Sequence, residues 1–405
     1  MGKADRKRWD GNVRSMAIVT KALEDITEDD VQFLRDNYTS AGGLLPNACS
    51  GGAFFTPAHV ARFMVEAIAG LSGEFTSGTR VLEPSAGSGV FLEHIPIDCE
   101  ITALELDETS AKVTKLIYPH VNVINADALT HERRDYYDLV IGNPPYGLTL
   151  ETERDDFQTM SKSKGKYRGK SENVFIELAI KAAKPGGYIA FVLPMGVSFS
   201  QVSKKIRRLM YETCWQIATV HLPGETFQHV GTTIETQILI LRKAPPDTPL
   251  FEPATKRWRS SFKRGGDGAI TQYDARFLAG QPPSYFAVVT DIGWDTKGRR
   301  TEAAQLDDLL VDFTDDGLVR ENLYPHIPSW HGIGKGNEAF FFSHGNGYCD
   351  GYRDGSRTYA DGPYRWNELT LGAGDEIDGN STWDFEWMDR IVAEYYEGTT
   401  IREAA

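Results

Sequence analysis

TRVLEPSAGSGVFLEHI, residues 79–95, sets a short apolar run against a turn of small residues, and a second apolar stretch follows. Val81 and Leu82 read as a buried strand. Gly87 and Gly89 mark a strand-to-helix turn, where a backbone without Cβ can come close to a ligand. The dinucleotide fingerprint needs a third glycine, but Leu92 stands three residues after Gly89. The glycine pair alone therefore specifies a tight turn and nothing more.

Working outward from that turn, strand and helix alternate. Strands are expected at 79–84, 100–107, 121–127, 137–143, 187–194, 215–223 and 233–243, with helical segments between most of them. NVFIELAIKAAKPGG closes with lysine, proline and glycines, as a helix end does. Near-continuous apolar strands separated by helices imply a mostly parallel seven-stranded α/β sheet covered on both faces. No full helix separates the last two strands, so the sheet is expected to end in an antiparallel pair. Upstream, PAHVARFMVEAIAGL has helical spacing. Residues 23–38 read as a short helix with Thr27 as N-cap and Asp30 at the capping-box position.

Three strand ends carry acceptors. Glu105 closes the second strand, about 20 residues beyond the glycines, where a carboxylate can accept from both hydroxyls of a ribose. Asp127, followed by Ala128, closes the third and can accept from an exocyclic amino group. The fourth strand, LVIGNPPYG at 139–147, stops on Asn143, Pro144, Pro145 and Tyr146. Each proline lacks an N–H and ends a strand, so a plain turn is one reading. The other begins from position, because strand C-termini line the ligand crevice of an open α/β sheet. There the carboxamide oxygen of Asn143 and the carbonyl of Pro144 form paired acceptors. Converging on one amino group, they favour a tetrahedral nitrogen with its lone pair free to attack. Tyr146 adds a flat face on which a base can stack.

These motifs, in this order, resemble the gamma-class DNA adenine-N6 methyltransferases. FFTP at 54–57 is similar to the motif that precedes their glycine loop, EPSAGSGVF to their cofactor motif, and NPPY to their catalytic tetrapeptide. The resemblance covers roughly residues 50–243. It implies the class I methyltransferase fold, S-adenosylmethionine as cofactor and a flipped adenine in DNA as substrate. It assigns Thr56, Glu83, Pro84, Gly87, Gly89, Glu105, Asp127 and Ala128 to the cofactor. Asn143, Pro144, Pro145 and Tyr146 go to catalysis, and Phe227 becomes a second ring stacking on the base. RNA adenine and protein glutamine-N5 methyltransferases also carry NPPY, and FFTP ahead of the glycine loop speaks against both. A cofactor-binding protein without catalysis is the alternative of another class.

The hydrophobic, aromatic and charged fractions are those of a soluble globular protein. No apolar run is long enough to span a bilayer, and no signal peptide is expected at the basic N-terminus. Four dispersed cysteines, without a CxxC pair, argue against zinc and against a disulfide framework and suit a reducing cytosol. No metal is expected. The net charge of −14 is unevenly spread, with 16 Lys+Arg against 27 Asp+Glu from residue 244 onward. The remainder is close to neutral, so the acidity does not preclude a local basic surface for nucleic acid.

SKSKGKYRGKSENVF supplies such a surface, with Lys162, Lys164, Lys166, Arg168 and Lys170 alternating with small or neutral residues. If extended, all five point to one side and can hold DNA phosphates. A solvated loop is the other reading.

KAPPDTPLFEP at 243–253 reads as a boundary. The expected layout is an N-terminal helical arm and lid-like loop (1–49), a catalytic domain (50–245) and an acidic C-terminal region (246–405). That last region would recognise the target or bind a protein partner. KRWRSSFKR at 256–264 suits phosphate contact, whereas His331 and His344 lack metal-ligand spacing. The absence of a nuclease or helicase motif suggests a bacterial, phage or plasmid modification enzyme.

Overall fold

A computed structural model describes residues 3–38, 56–73, 75–200, 202–230, 234–246, 284–294, 299–301, 305–314 and 338–342. Phe54, Phe55, KRWRSSFKR, His331, His344 and the acidic stretch 372–390 lie outside the described residues.

The strands are β1 (Arg80–Glu83), β2 (Glu100–Glu105), β3 (Asn122–Asn125), β4 (Tyr137–Gly142), β5 (Thr149–Thr152), β6 (Ser161–Ser163), β7 (Lys166–Lys170), β8 (Ala183–Pro194), β9 (Cys214–Leu222), β10 (Thr236–Lys243), β11 (Ser284–Val288) and β12 (Glu338–Phe342). Nine of them form one sheet in the order β12-β11-β9-β10-β8-β4-β1-β2-β3. β3, β2, β1, β4 and β8 are mutually parallel, while β10 enters antiparallel between β8 and β9. The seven expected strands are all present, each within a few residues of its reading. The expected boundary at 245 does not bound the sheet: β11 pairs parallel with β9, and β12 pairs antiparallel with β11.

Helices α1 (Lys3–Val19), α2 (Glu28–Asn37), α3 (Ala58–Ser72), α4 (Glu108–Ile117), α5 (Ser171–Ala182), α6 (Gly196–Phe199), α7 (Lys204–Thr213) and α8 (Gln305–Leu310) cover the two faces. Strand side chains alternate between two cores, as period-two geometry requires. Val81, Ile101, Leu139 and Ile141 join the core that includes α3, α4 and α8. Leu82, Leu104 and Val140 join the one that includes α5 and α7. α2 begins with the capping box expected at Thr27 and Asp30. Phe63 meets Phe313 edge-on at 5.6 Å, which docks the segment after α8 onto α3. No described helix is long and apolar enough to cross a membrane.

The regular helix expected after the glycines is replaced by successive three-residue turns, Gly89 N–H to Ala86 O, Leu92 N–H to Gly89 O and His94 N–H to Phe91 O. A side chain at Gly89 (φ +79°) would strain the turn, since its Cβ would stand 2.7 Å from the Tyr118 ring. Tight packing and left-handed backbone together keep this stretch out of a helix.

Candidate active site

The β1, β2, β3 and β4 strands are parallel and adjacent, so their C-terminal ends share one edge. Glu83, Pro84 and Gly87 follow from β1, Glu105 from β2, Asp127 and Ala128 from β3, and Asn143 to Tyr146 from β4. α3 runs down from this edge, because its first turn lies beside Trp294, near Glu225 after β9, and its last turn receives the Tyr188 hydroxyl from the middle of β8, well below the strand's C-terminal end. Thr56, just ahead of α3 and buried, therefore belongs to the same edge.

The glycine turn is held from behind. Gly87 N–H donates to Glu105 Oε2 at 2.7 Å, and Asp107 N–H donates to Glu105 Oε1 at 2.8 Å. The buried Thr114 hydroxyl donates to Gly87 O at 2.7 Å. In front of Gly87 (φ +56°) there is open space where a Cβ would stand. Glu105 thus braces the turn, with the backbone of Leu106 as a further donor to its carboxylate. Burial raises its pKa above the usual carboxylate range. Glu83 is more extreme: it is completely buried, and its Oε2 has no hydrogen-bond partner. Burial first, and the neighbouring Glu105 second, push its carboxyl well above the ordinary value. Asp127 is exposed, caps the turn at 128–130 by accepting from Leu129 N–H at 2.9 Å, and Ala128 is buried beneath it.

Asn143 and Tyr146 are brought together in a way the sequence did not indicate. Tyr146 is buried, and its hydroxyl donates to Asn143 Oδ1. Burial, then the charge of Glu172, raise the Tyr146 phenol far above its usual pKa. The Ser85 hydroxyl donates to Asn143 O at 3.4 Å, tying the tetrapeptide to the glycine turn. Pro144 is buried and Pro145 partly so. Phe227, expected as a second stacking ring, is instead completely buried in the main core, so its faces are spent on packing.

The lysine stretch is a hairpin rather than one extended ribbon. β5, β7 and β6 form a separate antiparallel sheet, with Lys164 (φ +50°) and Gly165 (φ +84°) in a type I′ turn. Cross-strand partners share a face, so Lys166, Arg168 and Lys170 lie together with Ser163, Ser161 and Thr149. Lys162 falls on the opposite face, opposite Tyr167 and 5.6 Å from its ring. Arg168 pairs with Glu151 at 2.9 Å, and Lys170 Nζ donates to Gly147 O at 3.1 Å. Lys162, Lys164 and Lys166 are exposed.

Several contributing residues were missed from sequence. Asp107 and Thr114 hold the glycine turn, and the signal for Asp107 was its N-cap position before α4, where it accepts from Ser110 N–H at 2.7 Å. Leu106, 69% exposed between two acidic residues, offers an apolar platform beside the carboxylates. Lys205 reaches Ser161 from α7 at 3.4 Å, and with Lys204 it extends the basic surface of the hairpin. Among the described residues no group of three or more His, Cys, Asp or Glu converges as metal ligands would.

Strand order, the glycine turn and the carboxylates along one edge define a Rossmann-like fold of the class I methyltransferase type. The chain belongs to the N-6 DNA Methylase family, which matches residues 33–257. It is 26% identical over 247 residues to the defense against restriction protein B of Escherichia phage P1, covering 60% of this chain and 10% of that protein. It is 28% identical over 243 residues to the type I restriction enzyme EcoEI methylase subunit of Escherichia coli, covering 53% and 46%. Against the type II methyltransferase M.HincII of Haemophilus influenzae it is 33% identical over 148 residues, covering 35% and 28%. The match spans less than half the length of each of these relatives.

Proposed function

We propose that the chain methylates the exocyclic N6 amino group of an adenine in DNA, with S-adenosylmethionine as cofactor, in the cytosol. The observation that carries this reading is the parallel pairing of β1 with β4, which sets the tetrapeptide beside the glycine turn, with the Ser85 hydroxyl 3.4 Å from Asn143 O. Donor and acceptor sites for methyl transfer then lie side by side.

The residues present suit the cofactor. A buried carboxyl without a partner at Glu83 fits a cationic ammonium, and the open side of Gly87 leaves room for close approach. Glu105 and Asp127 would take the ribose and adenine, with Leu106 against the ring and Thr56 at the rim. When bound, S-adenosylmethionine supplies a methyl group whose sulfonium departs as a neutral thioether. The chain's own task is to raise the nucleophilicity of an amine whose lone pair is delocalised. Asn143 Oδ1 and Pro144 O do so by accepting both N–H groups, which localises the lone pair on nitrogen; once the methyl is attached, the nitrogen sheds one of these protons to solvent. Tyr146 stacks on the base once its ring leaves the buried position, and that movement also releases Asn143 Oδ1.

Tritiated methyl transfer to DNA, RNA and a glutamine peptide tests the reading. Label in DNA alone, mapped to adenine by long-read sequencing, is expected; label confined to RNA or peptide would overturn it.

Glu83→Gln separates stability from binding. A carboxyl held protonated by the fold makes stability fall as pH rises above the usual carboxylate range. The variant should therefore melt higher than wild type at pH 8, with the gap closing towards pH 4. Its affinity for S-adenosylmethionine in titration calorimetry should drop about tenfold. Equal affinity would remove Glu83 from the cofactor site.

Alanine at Lys162, Lys164 and Lys166 together should weaken DNA binding and lower the slope of log K against log salt by up to about three, one counterion for each lost phosphate contact. A wild-type slope would show that the hairpin does not touch DNA.

A further inference from the structure

The tetrapeptide is fixed at one end by β4 and Ser85. What holds its other end lies at the junction of β7 and α5. Gly147 (φ +71°) follows Tyr146 directly, and its peptide groups are gripped from both sides. Its N–H donates to Glu172 Oε2 at 3.1 Å, and its carbonyl accepts from Lys170 Nζ at 3.1 Å. The next residue is doubly bonded to Ser171: Leu148 N–H donates to Ser171 Oγ at 3.1 Å, and Ser171 N–H donates to Leu148 O at 3.0 Å. Ser171 is completely buried, and its hydroxyl donates to Glu172 Oε2 at 3.0 Å, which aims that carboxylate at Gly147.

From this arrangement we infer that Lys170, Ser171 and Glu172 are positioning residues that set the tetrapeptide for catalysis by clamping the peptide units on its C-terminal side. The inference rests on the methyltransferase reading and deepens it. The clamp moves Lys170 from phosphate contact to loop support. Two consecutive peptide units held by three side chains leave Tyr146 as the residue able to move between two anchored ends. A base entering the site then displaces one ring rather than reshaping a loop, which keeps Asn143 Oδ1 and Pro144 O aimed together. Lys166 lies on the strand that ends in the clamp and Lys162 on the strand paired with it, so the proposed DNA contact and the tetrapeptide are joined through β7.

The test compares Glu172→Ala with Glu172→Gln, whose carbonyl oxygen can still accept from Gly147 N–H. With tritiated S-adenosylmethionine and mixed-sequence bacterial genomic DNA, Glu172→Ala should lose at least tenfold in kcat while its KM for S-adenosylmethionine stays within twofold. Glu172→Gln should restore most of the lost kcat. Hydrogen exchange read by mass spectrometry gives a measure independent of activity: peptides covering 143–148 should exchange faster in Glu172→Ala and Ser171→Ala than in wild type, and glycine-turn peptides should not. Wild-type kcat in Glu172→Ala, equal loss in both Glu172 variants, a parallel loss of cofactor affinity, or unchanged exchange at 143–148 would each overturn the clamp. If the wild-type chain methylates no DNA, the methyltransferase reading falls, while the exchange data still decide whether the clamp exists.

Discussion

Asn143→Ala is expected to lower methyl transfer to DNA by about a thousandfold, the scale seen when one preorganised polar group facing a reacting centre is removed. The reason is electronic. The exocyclic nitrogen of adenine shares its lone pair with the ring, and the Asn143 oxygen is one of two acceptors able to draw it back. Pro144 O remains in the variant, but a single acceptor leaves the amine free to stay planar. Alanine also removes the oxygen that receives the Tyr146 hydroxyl. The ring is then less firmly parked, and base stacking should change little or improve. Affinity for S-adenosylmethionine should stay near wild type, since Glu83, Gly87 and Glu105 are untouched. Single-turnover transfer and cofactor titration on the same preparation check both halves. A variant keeping a tenth of wild-type activity would remove Asn143 from the chemistry. A retained biological effect without methylation would favour the non-catalytic alternative.

Glu177→Ala should destabilise the fold strongly, by about 3–5 kcal/mol, the cost of breaking a buried ion pair by removing one partner. Glu177 lies on α5 with its side chain completely buried. It accepts from Gln158 N–H at 2.7 Å, from Thr159 N–H at 2.8 Å and from the Thr159 hydroxyl at 2.7 Å, and it pairs with Lys181 at 2.9 Å. The segment it holds leads directly into β6, so the hairpin loses its root as well. Urea denaturation should show the fall in stability, with Glu177→Gln losing about half as much. A change below 1 kcal/mol would mean that water replaces these bonds at little cost.

The sheet was readable because its strands are apolar runs closed by glycine, proline or acidic residues. β1, β2, β4, β8 and β9 have that form, and β10 is an apolar run closed by Arg242 and Lys243. The strand-end carboxylates were readable for the same reason, since position follows once the strands are fixed. The hairpin hid behind its charges. Alternating lysines fit a ribbon or a loop, and nothing apolar marked the turn at Lys164, a residue that seldom takes positive φ. α1 reads as a polar start, and β11 and β12 stand far from the strands they complete. Tyr146 and Phe227 show the remaining limit. An aromatic residue in a motif has the chemistry to stack, but whether its faces are free depends on packing. The clamp joins Gly147 to Glu172 across a hairpin whose path had first to be known.

The place of β10 has a consequence for how the chain assembles as it is made. β8 ends at Pro194, but its antiparallel neighbour is completed only at Lys243, about 50 residues later. At 5–20 residues per second, one edge of a strand rich in buried apolar residues waits roughly 3–10 s for its partner. During that interval the glycine turn and the tetrapeptide have already left the ribosome, on a half-sheet with an open side. A sticky edge of this kind invites pairing with other chains. The nascent half-sheet is thus the stage at which aggregation competes most directly with folding.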